Sequence, residues 1–206
     1  PDDHPTRHPD HRCRHLVVAA GAWSNHILAH FGRRLHLTIT QEQVTYYRTS
    51  HAADFMPDRF PVWIWMDEPS FYGFPSFGEP GPKMAQDVGG RRVTPETRTF
   101  ETDVATLART EAFLAKYIPT MLGERLYTKT CLYDLPPDRN FVLGSLPQQP
   151  NVSLAIGAGH SYKFAALIGK ILSELALDGR TDYDIAPFHI DRPILLEENP
   201  ALNFMC

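Results

Sequence analysis

Cysteine is scarce in this sequence: three in 206 residues, Cys13, Cys131 and Cys206, none in a Cys-x-x-Cys pair. An odd, widely spaced set argues against a disulfide framework or a structural zinc site and makes a reducing, cytoplasmic compartment the expectation. An excess of positive charge is also missing. Lys and Arg number 20 against 24 Asp and Glu, a net charge of −4 with no basic block, so no electrostatic footprint for nucleic acid or an anionic membrane is expected. No apolar run approaches the ~20 residues that span a bilayer, and no apolar stretch of the secretory type follows the start. Several enzyme signatures are lacking: Gly-x-Gly-x-x-Gly, the P-loop, Gly-x-Ser-x-Gly and His-Glu-x-x-His. A globular chain remains, 43% hydrophobic and long enough to take roughly 70% of its unfolded surface out of water.

Proline, by contrast, is frequent and punctuates the chain. Residues 1–15 hold three prolines, four histidines and no aliphatic side chain, and read as a flexible lead. Its His4, His8, His11, Cys13 and His15 could gather a metal only adventitiously, so no metal site is expected. From Leu16, LVVAAGAWSNHILAHFG predicts a strand, a tight turn and a short helix. From His36 to Val88 the period becomes two, with LTIT, QVTYYR, FPVWIWM, SFYGFPSF and KMAQDV reading as antiparallel strands. FPVWIWM is apolar on both faces and is expected to be covered on both. After Thr102, a stripe of Val104, Leu107, Ala108, Leu114, Tyr117 and Ile118 predicts a helix that Pro119 ends. YTKTCLYDL and NFVLG read as strands around a PPDR turn. NVSLAIG then feeds the turn GAGHS into a helix with Phe164, Leu167, Ile168, Ile171, Leu172 and Leu175 on one face and Gly179 as its stop. The tail, with Pro187, Pro193 and Pro200, is expected to run over the surface.

Three places could carry chemistry. A strand feeding a glycine-rich turn into a helix aims free backbone N–H groups and a positive dipole end at whatever lies in front, and Gly157 and Gly159 allow close approach of a flat or anionic ligand. Lys163 in the first helical turn opposes the dipole and calls for an anion; alternatively, the glycines serve only packing and the lysine reaches water. In TKTCLYD, Lys129, Cys131 and Tyr133 share one strand face, with a lysine that would favour thiolate; a small core cysteine is the other reading. Lys83 arrives on a strand after an aromatic stretch, or is a solvated hairpin lysine. Asp87 and Glu79 beside it read as solvated charge.

Taken together, VVAAGAWS, YGFPSFG with its following lysine, CLYD-x-x-P-D-x-x-F, GAGHSYKF and TDYDIAPFHIDRP resemble the C-terminal half of the monomeric sarcosine oxidase and N-methyltryptophan oxidase family. The likeness runs from about Leu16 to Pro193. It implies an α+β fold, with an antiparallel-rich substrate domain over residues 35–139 and a partial FAD-binding lobe over 16–34 and 140–206. It also implies FAD as cofactor, a small N-methyl amino acid and O₂ as reactants, and hydrogen peroxide as a product. By the same resemblance Cys131 is the thiol bonded to the flavin, and Lys83 activates oxygen above the flavin edge. Lys163 holds the substrate carboxylate, Tyr72 and Tyr133 line the pocket, and His160 stands beside flavin and substrate. Gly157, Gly159, His160 and Ser161 belong to the cofactor turn. Two residues depart from the pattern: Ser161 stands where the family usually has glycine, and Asp87 where sarcosine oxidases have histidine. The family's Gly-x-Gly-x-x-Gly half is not in the sequence. A missing N-terminal half supplied elsewhere, self-association, and a non-catalytic binding module that has lost FAD therefore all stand as alternatives.

Overall fold

The computed structural model describes residues 11–203. Two sheets organise them. The first is small: β1 (Leu16–Val18) pairs in parallel with β9 (Gln149–Ile156), which pairs antiparallel with β8 (Val142–Leu146). Parallel pairing needs a long crossover, and here the whole second sheet is inserted between β1 and β8. α1 (Ser24–Ala29) follows β1, and the buried core of this sheet gathers Val18, Leu28, Val142, Leu154 and Ile156. His15, the last residue of the expected flexible lead, places its Nε2 2.8 Å from Ser153 Oγ on β9. His4 and His8 lie outside the described residues. Among those described, no group of three His, Cys, Asp or Glu residues could hold a metal ion, and no helix is long and apolar enough to cross a membrane.

The second sheet is centred on β2 (Thr38–Arg48). LTIT and QVTYYR, expected as separate strands, form this one long strand, because its polar Gln41, Glu42 and Gln43 find partners on both sides. β5 (Lys83–Gln86) and β6 (Arg91–Arg92) pair with one edge of β2, and β7 (Glu124–Leu135) pairs along the other. β4 (Phe71–Phe74) extends the sheet from β5, and β3 (Trp63–Trp65) ends it. α2 (Val104–Tyr117) covers one face. Asp103 caps this helix by accepting the Thr106 N–H at 2.7 Å. Phe113 and Leu114 pack with Tyr47, Phe71, Met84 and Met121.

Three packing expectations are corrected. β3 is a terminal strand with one covered face: Trp63 stacks on Phe113, while Ile64 is 58% exposed and Val62 and Met66 also face outward. The buried stripe of α2 is Thr106, Leu107, Thr110, Phe113 and Leu114, and Val104 is 76% exposed, because Phe113 docks into the aromatic cluster and sets the helix rotation. The tail is not only surface. Ile190 and Leu195 are buried in the first core, and Arg192 donates two hydrogen bonds of 2.8 Å to the Asp138 carboxylate and further ones to the carbonyls of Phe141 and Phe188.

α3 (Ala165–Asp178) ends at Gly179, whose φ of 71° is the left-handed cap expected there. Its C-terminal half packs as read, with Ile171, Leu172 and Leu175 buried against Leu143. Phe164 and Leu167 are exposed instead.

Candidate functional site

Register decides which side chains share a face. Opposite partners in antiparallel strands point the same way, and residues two apart alternate back to that side. Phe74 faces Lys83, Lys83 faces Tyr46, and Glu42 faces Cys131. Tyr72, Lys83, Glu42, Cys131 and Tyr133 therefore lie on one face of the large sheet, opposite the α2 core. Tyr72 and Tyr133 come close enough on this face to influence each other. Burial pushes both phenols up, Tyr72 to about 12 and Tyr133 further.

This face meets the small sheet at the GAGHS turn. A cavity of about 590 Å³ opens there, walled by Cys131 and Tyr133 on β7, by Gly157, Gly159 and Ser161 in the turn, and by Ala165 and Ile168 on α3. A volume of this size suits a small ligand or the ring portion of a cofactor. Gly159 has φ 78°, and an added Cβ would run into the Tyr133 ring; one added at Gly157 would run into the Ser161 side chain. Space at both glycines is thus taken by the protein itself, a correction to their reading as room for a ligand.

The N–H groups of the two turn glycines are not free either. Asp134, buried on β7, accepts the N–H of Gly159 at 3.1 Å and that of Gly157 at 3.3 Å. Burial raises the Asp134 pKa and these two bonds oppose the rise. The helix dipole argument for Lys163 also changes. Residues Tyr162–Phe164 form a separate 3₁₀ turn ahead of α3, and Lys163 is exposed with Nζ 5.3 Å from the Phe164 ring centroid.

Lys83 lies outside the cavity wall, its Nζ 4.4 Å from the Phe74 ring centroid and 5.7 Å from that of Tyr46. Cys131 is exposed at the cavity, yet its thiol is pushed up to about 11, first by the protein packed behind it and then by Glu42. The expectation that Lys129 favours thiolate is overturned: Nζ of Lys129 sits over the Tyr127 ring, and the charge opposite Cys131 is a carboxylate. His160 is not part of the cavity wall; its ring packs on Phe141, 4.8 Å between centroids, and its pKa is lowered by burial.

Sequence reading missed four polar residues here. Glu42 is 3% exposed, and its carboxylate accepts the Gly90 N–H at 3.0 Å. Arg139, within PPDR, is 4% exposed and donates from Nη2 to Asp87 Oδ1 at 2.8 Å. Asp87 is accordingly an enclosed ion-pair partner and not solvated charge. Asp134 and Arg192 complete the set. Period-two polar residues and the D-R pair of PPDR were the available signals, but each partner is distant in sequence.

Glu42 gives a pH prediction. Burial raises its folded pKa above the unfolded value, so its contribution to stability falls as pH climbs from the ordinary carboxylate range through the raised one. Asp134 acts with the same sign. Glu42→Gln, which keeps an acceptor for Gly90, is expected to flatten this decline in thermal melts taken across mildly acidic to neutral pH. An unaltered slope would show that the residue is not a buried acid.

Fold and site together place a cavity where a small sheet contributes a glycine turn and an antiparallel sheet contributes an aromatic, thiol-bearing face. The family profile described as FAD dependent oxidoreductase matches residues 3–175, and the chain belongs to that family. It is 32% identical over 188 residues to monomeric sarcosine oxidase of Arthrobacter sp. (strain TE1826), covering 89% of this chain and 48% of the relative. Against N-methyl-L-tryptophan oxidase of Escherichia coli it is 27% identical, covering 89% and 49%. The solved structure of NikD, an unusual amino acid oxidase essential for nikkomycin biosynthesis, superposes with a TM-score of 0.73 at 27% identity, covering 90% of this chain and 50% of that one. The chain spans about half the length of the curated relatives it matches.

Proposed function

We propose that this chain carries the substrate side of an FAD-dependent oxidase of secondary, N-methyl amino acids such as sarcosine or N-methyltryptophan. With O₂ such substrates yield an imine, then aldehyde and amine, and hydrogen peroxide. The observation that carries the reading is the shared sheet face, which turns Tyr72, Lys83, Cys131 and Tyr133 to one side and ends at the glycine turn beside a ring-sized cavity.

The residues fit the cofactor. Cys131, on the cavity wall, would hold it covalently, and Gly157, Gly159 and Ser161 would form the turn beside it. Bound FAD supplies the two-electron acceptor. The chain's own groups do the rest. Tyr72 and Tyr133, both kept protonated by burial, offer hydroxyl hydrogen bonds to the substrate. Lys163, solvent-facing at its 3₁₀ turn, supplies a cation for the substrate carboxylate, and His160 a ring nitrogen near it. Lys83 places its positive charge on the same sheet face, where it would stabilise negative charge developing on O₂.

Incubation of the purified chain with FAD, followed by blue-light absorption and fluorescence of the acid-denatured band, tests this. Flavin is expected to stay with the polypeptide and to vanish from the denatured band in Cys131→Ala. A colourless chain that takes up no FAD would move the function to a non-catalytic binding module, and flavin retained by Cys131→Ala would remove the covalent role.

A further inference from the structure

Asp87 is an ion-pair partner of Arg139, and the pair has a geometric consequence for His160. The two side chains are almost wholly enclosed, at 3% exposure for Arg139 and 13% for Asp87, with Nη2 and Oδ1 2.8 Å apart. Arg139 has φ 55°, a left-handed conformation unusual for a residue with a Cβ. Its N–H donates to the Pro136 carbonyl at 3.0 Å, closing the turn. In that conformation the Arg139 carbonyl lies 3.2 Å from Nε2 of His160. A carbonyl oxygen can only accept, so Nε2 must carry the proton. Phe141 packs on the imidazole and limits its rotation. The neutral ring, favoured by burial, then has Nδ1 as its acceptor atom.

We propose that Asp87 and Arg139 are positioning residues that, through the Arg139 carbonyl, fix the His160 imidazole as its Nε2–H tautomer and so leave Nδ1 as the ring's hydrogen-bond acceptor. The tautomer stands independently of the oxidase reading above. Asp87 thereby serves as the counter-ion of a strained turn and has no need to touch the substrate. Three other charges act on this ring, Arg139 itself, Lys163 and Asp134, and none of them is removed by a change at Asp87.

The test uses the whole chain without added cofactor, labelled with ¹⁵N at histidine, and reads tautomers from long-range proton–nitrogen spectra at slightly alkaline pH. His160→Gln assigns the resonance. The native chain is expected to show the neutral Nε2–H pattern for His160. In Asp87→Asn the ratio of the two tautomers is expected to fall about tenfold, the weight of one ordinary hydrogen bond, and Asp87→Glu is expected to recover part of it. Should Asp87→Asn fail to fold, Arg139→Lys, which retains a cation, carries the same expectation. A native His160 in the Nδ1–H form, or a pattern unmoved in the folded variants, overturns the proposal. A chain that binds no flavin while showing the expected tautomers would sink the oxidase reading and leave the positioning role standing. Covalent flavin with unmoved tautomers would do the reverse.

Discussion

Arg139→Met is expected to cost about 3–5 kcal/mol of folding free energy, because it leaves Asp87 enclosed without the cation it faces. The same pair in water would be worth less than about 1 kcal/mol. Burial makes the difference: the strength of the effect comes from the stranded charge and not from the attraction itself. Replacing both partners at once, Arg139→Met with Asp87→Leu, should therefore recover most of the loss. Urea unfolding of the single and double variants measures this. A single variant within about 1 kcal/mol of the native chain would mean that solvent reaches Asp87.

Gly159→Ala is the second large effect, expected at roughly 2–6 kcal/mol from two sources that act together. The residue sits at φ 78°, where a side chain strains the backbone, and the new Cβ would meet the Tyr133 ring. Tyr133 cannot retreat easily, since it is buried. Gly169 provides the contrast. It lies within α3 with open space where a Cβ would stand, so Gly169→Ala is expected to gain about 0.5–1 kcal/mol. Equal behaviour of the two substitutions would show that the turn relaxes away from Tyr133.

The elements that sequence predicted well are those whose signals are local. β9, the glycine turn and α3 carry a β-branched run, two glycines and a 3.6-residue apolar period inside 30 residues, and Gly179 caps the helix as its position implies. β1 and β9, both read as short apolar strands, pair in parallel. What was not legible depends on partners remote in the chain. Whether FPVWIWM is covered on both faces depends on its being the last strand of its sheet, which no local pattern encodes. Asp134 looks like any strand-end acid until β9 brings two amides to it, and Asp87 looks solvated until PPDR delivers Arg139 from 52 residues away. Of the residues singled out from the sequence, Cys131, Tyr133, Gly157, Gly159 and Ser161 converge on one cavity. Lys83 and Tyr72 reach the same sheet face from two other strands, β5 and β4, whereas His160 is set by a backbone carbonyl, a contact without sequence signature.

The Arg192 clamp sets a practical boundary for anyone dividing this chain. One guanidinium grips the Asp138 carboxylate and reaches back to the Phe141 carbonyl, while Ile190 and Leu195 on either side fill the core beneath β8 and β9. A piece ending before Leu195 would lose the strap that closes the small sheet from below. Tags, fusions and split points therefore belong beyond that leucine, the last buried side chain among the described residues.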